Sequence, residues 1–169
     1  MTRRSRILPL ALALMSATPA FAAALVVTKT SQVVSDPQGD VGPKAVPGAE
    51  VDYTISIQNP NSVATTIAGV TFTDSIPANT KLRVTDYGLL NSGPVSFSSG
   101  LSLLTYAFTN FADDADSLSF SNDNGVTWKY RPVADATGCD ANVNKIRVVA
   151  GGSQLFGTTF SIKFRVRVK

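Results

Sequence analysis

Histidine is absent from this chain of 169 residues, and cysteine occurs once. Without histidine, Ser-His-Asp and Cys-His catalysis and every His-ligated metal site are excluded. With Cys139 alone, no disulfide forms within the chain. Cys139 lies in a polar stretch, ATGCDAN, which reads as a loop; a free or intermolecularly paired thiol is the alternative. Glutamate also occurs once, as Glu50. Glycoside hydrolysis needs two carboxylates facing each other across a cleft, and nothing in the sequence marks such a pair. Helical periodicity is missing too, since no window offers a convincing amphipathic helix.

What is present begins with a leader. Arg3, Arg4 and Arg6 precede an apolar run, Ile7 to Met15, and Ala20-Phe21-Ala22 follows with the small-x-small pattern that signal peptidase reads. Residues 1–22 are therefore expected to be a secretory signal peptide cleaved after Ala22. The apolar run is short, holds Pro9 and is followed by Pro19, and falls well below the roughly 20 apolar residues of a membrane span. The formal charge of +3 comes from 15 basic and 12 acidic residues, and loss of the three leader arginines brings it to zero. Nothing in the net charge then points to a nucleic acid or another polyanion. The expected destination is the periplasm, the outer surface or the medium.

Residues 23–169 read as strands and turns of one domain. VDYTISIQ, from Val51, puts Val51, Tyr53, Ile55 and Ile57 on one face and Asp52, Thr54, Ser56 and Gln58 on the other. At the far end Phe160, Ile162, Phe164, Val166 and Val168 alternate with Ser161, Lys163, Arg165, Arg167 and Lys169. This is the period of strands with one wet face. Between them, strands are predicted at 70–74, 104–108, 117–120, 126–130 and 145–149, with a first strand of broken alternation at 25–34. Asp36-Pro37, Gly42-Pro43, Pro47-Gly48, Asn59-Pro60, Ile76-Pro77 and Gly93-Pro94 punctuate them. Many short strands at this spacing predict an all-β sandwich.

The stretch 36–80 carries PK-VPG before one strand, V-Y-T-I within it, and V-F-T-D-x-IPANT closing the next. It resembles the bacterial "conserved repeat" domain family. That resemblance implies an immunoglobulin-like antiparallel sandwich in a secreted or cell-surface protein.

Residues 121–128 read SNDNGVTW. Ser121, Asp123, Gly125, Thr127 and Trp128 resemble the Asp-box of sialidase propeller blades. A propeller needs at least four blades, more than this length supplies, so a hairpin turn is expected rather than a sialidase. Asp123 would accept backbone N–H groups, Gly125 would supply the permissive backbone, and Trp128 would lie on the apolar side.

Asp113, Asp114, Asp116 and Asp123 form the densest acidic group. Their spacing does not match a calcium loop, and solvated loop carboxylates are expected, with weak Ca²⁺ binding as the alternative. Lys163, Arg165, Arg167 and Lys169 would be a charged outer face that discourages sheet-edge pairing. Lys29 falls in the first strand, but the last strand holds no Asn with which to form a Lys–Asn isopeptide. The sequence thus predicts no cofactor, no metal and no catalytic residue. It points to a non-enzymatic structural or adhesive module of the bacterial cell envelope or exterior, acting on another protein or a surface glycan. Two alternatives stand beside it: a fibre subunit assembled by strand pairing through residues 24–35, and a carbohydrate-binding module using Trp128, Tyr130, Tyr106 and Tyr87.

Overall fold

The computed structural model describes residues 23–39, 41–62, 65–90 and 92–169. The expected leader lies outside the described residues. Ten strands follow one another: β1 (Val26–Ser35), β2 (Glu50–Gln58), β3 (Ile67–Ser75), β4 (Thr80–Arg83), β5 (Val95–Ser98), β6 (Leu103–Thr105), β7 (Leu118–Ser121), β8 (Cys139–Asp140), β9 (Lys145–Gln154) and β10 (Thr159–Val168). No helix occurs among the described residues, and none there is long and apolar enough to cross a membrane.

The strands form two antiparallel sheets built on one plan. In the first, of order β1-β2-β10-β4-β8, β10 has β2 along one side and the short strands β5 and β4 sharing the other. In the second, β9 has β3 along one side and β7 and β6 sharing the other. The long strands β9 and β10 are consecutive, so residues 155–158 carry the chain from one sheet to the other.

Alternation fixes which faces meet. Phe160, Ile162, Phe164 and Val166 of β10 and Ile146, Val148 and Ala150 of β9 are all buried in a single apolar cluster, joined by Ile55 and Ile57 of β2 and Val70 of β3. One layer of side chains thus serves both sheets, the arrangement of a sandwich. Phe164 stacks on Tyr53 with ring centroids 5.6 Å apart. At the β1 edge, Lys29 spans the layers: its Nζ lies 2.5 Å from Asp74 Oδ2 on β3 and 4.8 Å from the Tyr53 ring. At the opposite end of β9, Gln154 donates from Nε2 to the carbonyls of Ile57 (3.0 Å) and Thr158 (3.2 Å). Gly69, at φ 62°, sits where the β3–β9 register slips between Ala68 and Val70. A bulge of that kind takes the left-handed backbone glycine allows.

Several expectations need correction. Residues 126–130 are not a strand; only Tyr130 makes an isolated bridge, to Phe120. Strands β4, β5 and β8 were not predicted, being two to four residues long. Cys139 is not a loop residue: it lies in β8, opposite Arg83, and is 1% exposed. Its thiol donates to the Thr137 carbonyl, and burial pushes its pKa up, so it is a poor nucleophile. Finally, Lys163, Arg165 and Arg167 decorate a central strand, flanked on both sides, so edge protection is not what they do. One edge of that sheet is β1, whose first seven residues are all exposed; β8 forms the opposite end of the order.

Candidate functional site

The octet 121–128 leaves β7 and folds on itself. Asn124 (φ 61°) and Gly125 (φ 88°) both adopt the left-handed backbone, which asparagine and glycine tolerate best. The Asp123 carboxylate accepts from Ser121 Oγ (2.6 Å), Thr127 N (2.9 Å) and Thr127 Oγ1 (2.6 Å). Ser121 Oγ in turn accepts from Gly125 N at 2.8 Å. The hydrogen bonds from Ser121 and Thr127 hold the Asp123 pKa down at about 2, so the carboxylate stays charged and keeps the loop closed at neutral pH.

This closure sets Trp128. Its ring lies against the turn at Gly125, where a Cβ would stand only 3.2 Å from Trp128 Cζ2. Trp128 does not lie on the apolar side: it is only half-buried and stands outside the core cluster. Tyr130 keeps the core side and gives its hydroxyl to Asp140 at 2.9 Å. Trp128, two residues earlier, does not follow it because residues 127–129 pair with no strand and alternation lapses. The ring meets Arg147 instead, whose Cζ is 4.7 Å from its centroid. Arg147 alternates with buried Ile146 and Val148 on β9 and so faces away from the core.

Around this pair is a cleft of about 380 Å³ lined also by Asp114, Ser119, Thr127 and Lys129. Arg147 is held lightly. One Nη2 contact, 3.4 Å to Ser119 Oγ, is its only hydrogen bond among the described residues, and its buried Nε has no acceptor. No carboxylate of the described residues pairs with Arg147, Lys129 or Lys145, whereas Lys29, Lys81 and Arg165 are each in an ion pair. A larger cleft, about 500 Å³, opens between β5 with the loop before it and the segment that follows β6, beside Phe97, Tyr106 and Phe108. It is lined by apolar and uncharged groups, and the Tyr106 hydroxyl is buried there without a hydrogen-bond partner among the described residues. Burial, then the Asp116 charge, push its pKa well above the usual phenol value.

The remaining sequence candidates are dispersed. Asp116 accepts from Thr109 N and Asn110 N, Asp113 from Ala115 N, and Asp123 serves the octet. Of the four, Asp114 lines the Trp128 cleft, and Asp113 joins it in a small recess that shares Trp128 and Lys129. Among the described residues, no group of three His, Cys, Asp or Glu side chains could hold a metal ion.

Sequence reasoning missed the strongest electrostatic cluster. Arg165 Nε and Nη2 grip both oxygens of Asp52 (2.6 and 3.1 Å), Nη1 reaches Glu50 (3.3 Å), and Tyr87 donates to Asp52 at 2.6 Å. Arg165 and Asp52 are direct cross-strand partners on the outer face of the first sheet. Burial raises the Asp52 pKa, but hydrogen bonds from Arg165 and Tyr87 and the charges of Arg165 and Lys163 outweigh it, leaving a net lowering. Burial and the Asp52 hydrogen bond push Tyr87 up to about 12, so it remains a donor. Both carboxylates are occupied by the guanidinium, which favours a structural clamp over an acid–base pair. No family model, curated protein or solved structure matches this chain.

Proposed function

We propose that this chain is a non-enzymatic adhesive module of the bacterial cell envelope or exterior, exported by the leader at 1–22 and shaped as an immunoglobulin-like sandwich. A rigid two-sheet core presents loops and outer faces to a surface glycan. The observation that carries this reading is the placement of Trp128: an aromatic ring on the solvent side of a sheet, over an arginine, in a cleft edged by hydroxyl and charged groups. Sugars are bound in this way, with a ring face on an aromatic and hydroxyls on polar side chains. The resemblance of residues 36–80 to conserved-repeat modules supports the same setting.

A glycan array probed with the folded chain tests it. Hits are expected, and Trp128→Ala is expected to abolish them while leaving the melting temperature within a few degrees. An array without hits contradicts it.

Strand pairing between copies is a second reading, favoured by β1, a ten-residue edge strand with Val26 and Val27 about half exposed. Sedimentation equilibrium would then show mass rising with concentration; a strict monomer at high concentration rules it out.

A further inference from the structure

The Trp128 cleft differs from a neutral sugar site in its charge. Lys129 and Arg147 line it, and Lys145 lies beside it, its Nζ 3.7 Å from where a Gly125 Cβ would stand. None of the three has a carboxylate partner among the described residues, where the ion pairs are those of Lys29, Lys81 and Arg165. Asp114 is the one acidic side chain in the cleft lining, and Asp123 nearby is saturated by its own turn.

Arg147 is the second observation. A guanidinium carries five donors in a rigid fork, yet among the described residues its Nε–H is buried without an acceptor and its only hydrogen bond is a long one. A donor left unmade is costly. The Trp128 ring holds the guanidinium by cation–π contact at 4.7 Å, so less ordering remains to be done when an acceptor arrives. The acceptor that matches a guanidinium fork is a planar carboxylate.

Resting on the glycan-binding reading above, the geometry points to a carboxylated saccharide, a uronic acid residue, as the ligand of this cleft. The sugar's carbon face packs on Trp128, its carboxylate meets Arg147 with Lys129 adding charge, and Asp114 accepts from ring hydroxyls. At about 380 Å³ the cleft falls at the small end of ligand sites, which suits one sugar residue held from a longer chain.

Calorimetric titration with oligogalacturonate and with its fully methyl-esterified form tests this. Esterification removes the carboxylate charge and caps the group with a methyl, leaving the sugar rings unchanged. The acid form is expected to bind at least about tenfold more tightly, with affinity falling as salt rises. Arg147→Gln is expected to bring the acid form down to the ester's affinity, and Lys129→Gln, at an exposed position, to weaken the acid form alone. Equal binding of the two forms, lost together in Trp128→Ala, would overturn the uronate assignment and leave the glycan reading standing. No binding of either form overturns the uronate assignment too, and the array then decides the glycan reading separately. Melting curves of both variants guard against misfolding; should Arg147→Gln not fold, the Lys129→Gln result decides.

Discussion

Phe164→Ala is expected to destabilise the protein by about 3–5 kcal/mol, the usual cost of emptying a phenylalanine site in a core. Phe164 is fully buried on the central strand β10 and stacks on Tyr53, and both β9 and β10 contribute to the cluster around it. No neighbouring loop can collapse into the space, since both layers are pinned by strand pairing. A domain of this size is stable by about 5–15 kcal/mol, so the variant should unfold at a markedly lower urea concentration with a similar slope. Val126→Ser, in contrast, changes a side chain 82% exposed and should shift stability by no more than about 0.5 kcal/mol. Equal, small effects at both positions would mean that Phe164 is not in a shared core.

Asp52→Ala is the second large effect, about 2–3 kcal/mol at neutral pH. It removes a carboxylate that takes two hydrogen bonds from Arg165 and one from Tyr87, and hydrogen bonds to charged groups contribute about 1.5–3 kcal/mol. Glu50 keeps one contact to Arg165, which limits the loss. The effect also has a pH signature. The native Asp52 pKa is lowered, so its contribution is fully present above the unfolded value of about 3.9. It is lost as pH falls through the lowered native value. Urea melts should therefore show a gap between wild type and Asp52→Ala that is full at neutral pH and narrows below about pH 4. A gap that persists unchanged in acid would show that packing, not the charge, makes the difference.

The long strands were legible in the sequence because burial on one face writes a period of two into it. VDYTISIQ and FSIKFRVRV became β2 and β10, and KIRVV the start of β9. The two-sheet all-β class followed from them. Three features were not legible, for separate reasons. Strands β4, β5 and β8 are too short to show any period and exist through pairing with distant segments. The Asp52–Arg165 clamp depends on the register of β2 against β10, residues 113 apart in the chain, and alternation gives a face but not a partner. Trp128 was assigned to the wrong side because Val126, Trp128 and Tyr130 alternate like a strand. Asp123 reaches over to hold Thr127 instead, the segment pairs with nothing between 127 and 129, and the parity that alternation assumes is broken. The signal that warns of this is the pair Asn124-Gly125, which turns the chain sharply just before the supposed strand.

Trp128 is the sole tryptophan, so its fluorescence reports on one place alone. Its quenching is the most direct measurement of where that ring stands, on the solvent side of the second sheet beside Arg147, Lys129 and Lys145. Emission should be readily quenched by acrylamide, and more efficiently by iodide than by caesium, because Lys129, Lys145 and Arg147 gather anions around the ring. Blue-shifted emission that none of the three quenches would place Trp128 in the core and contradict both the cleft and the function built on it.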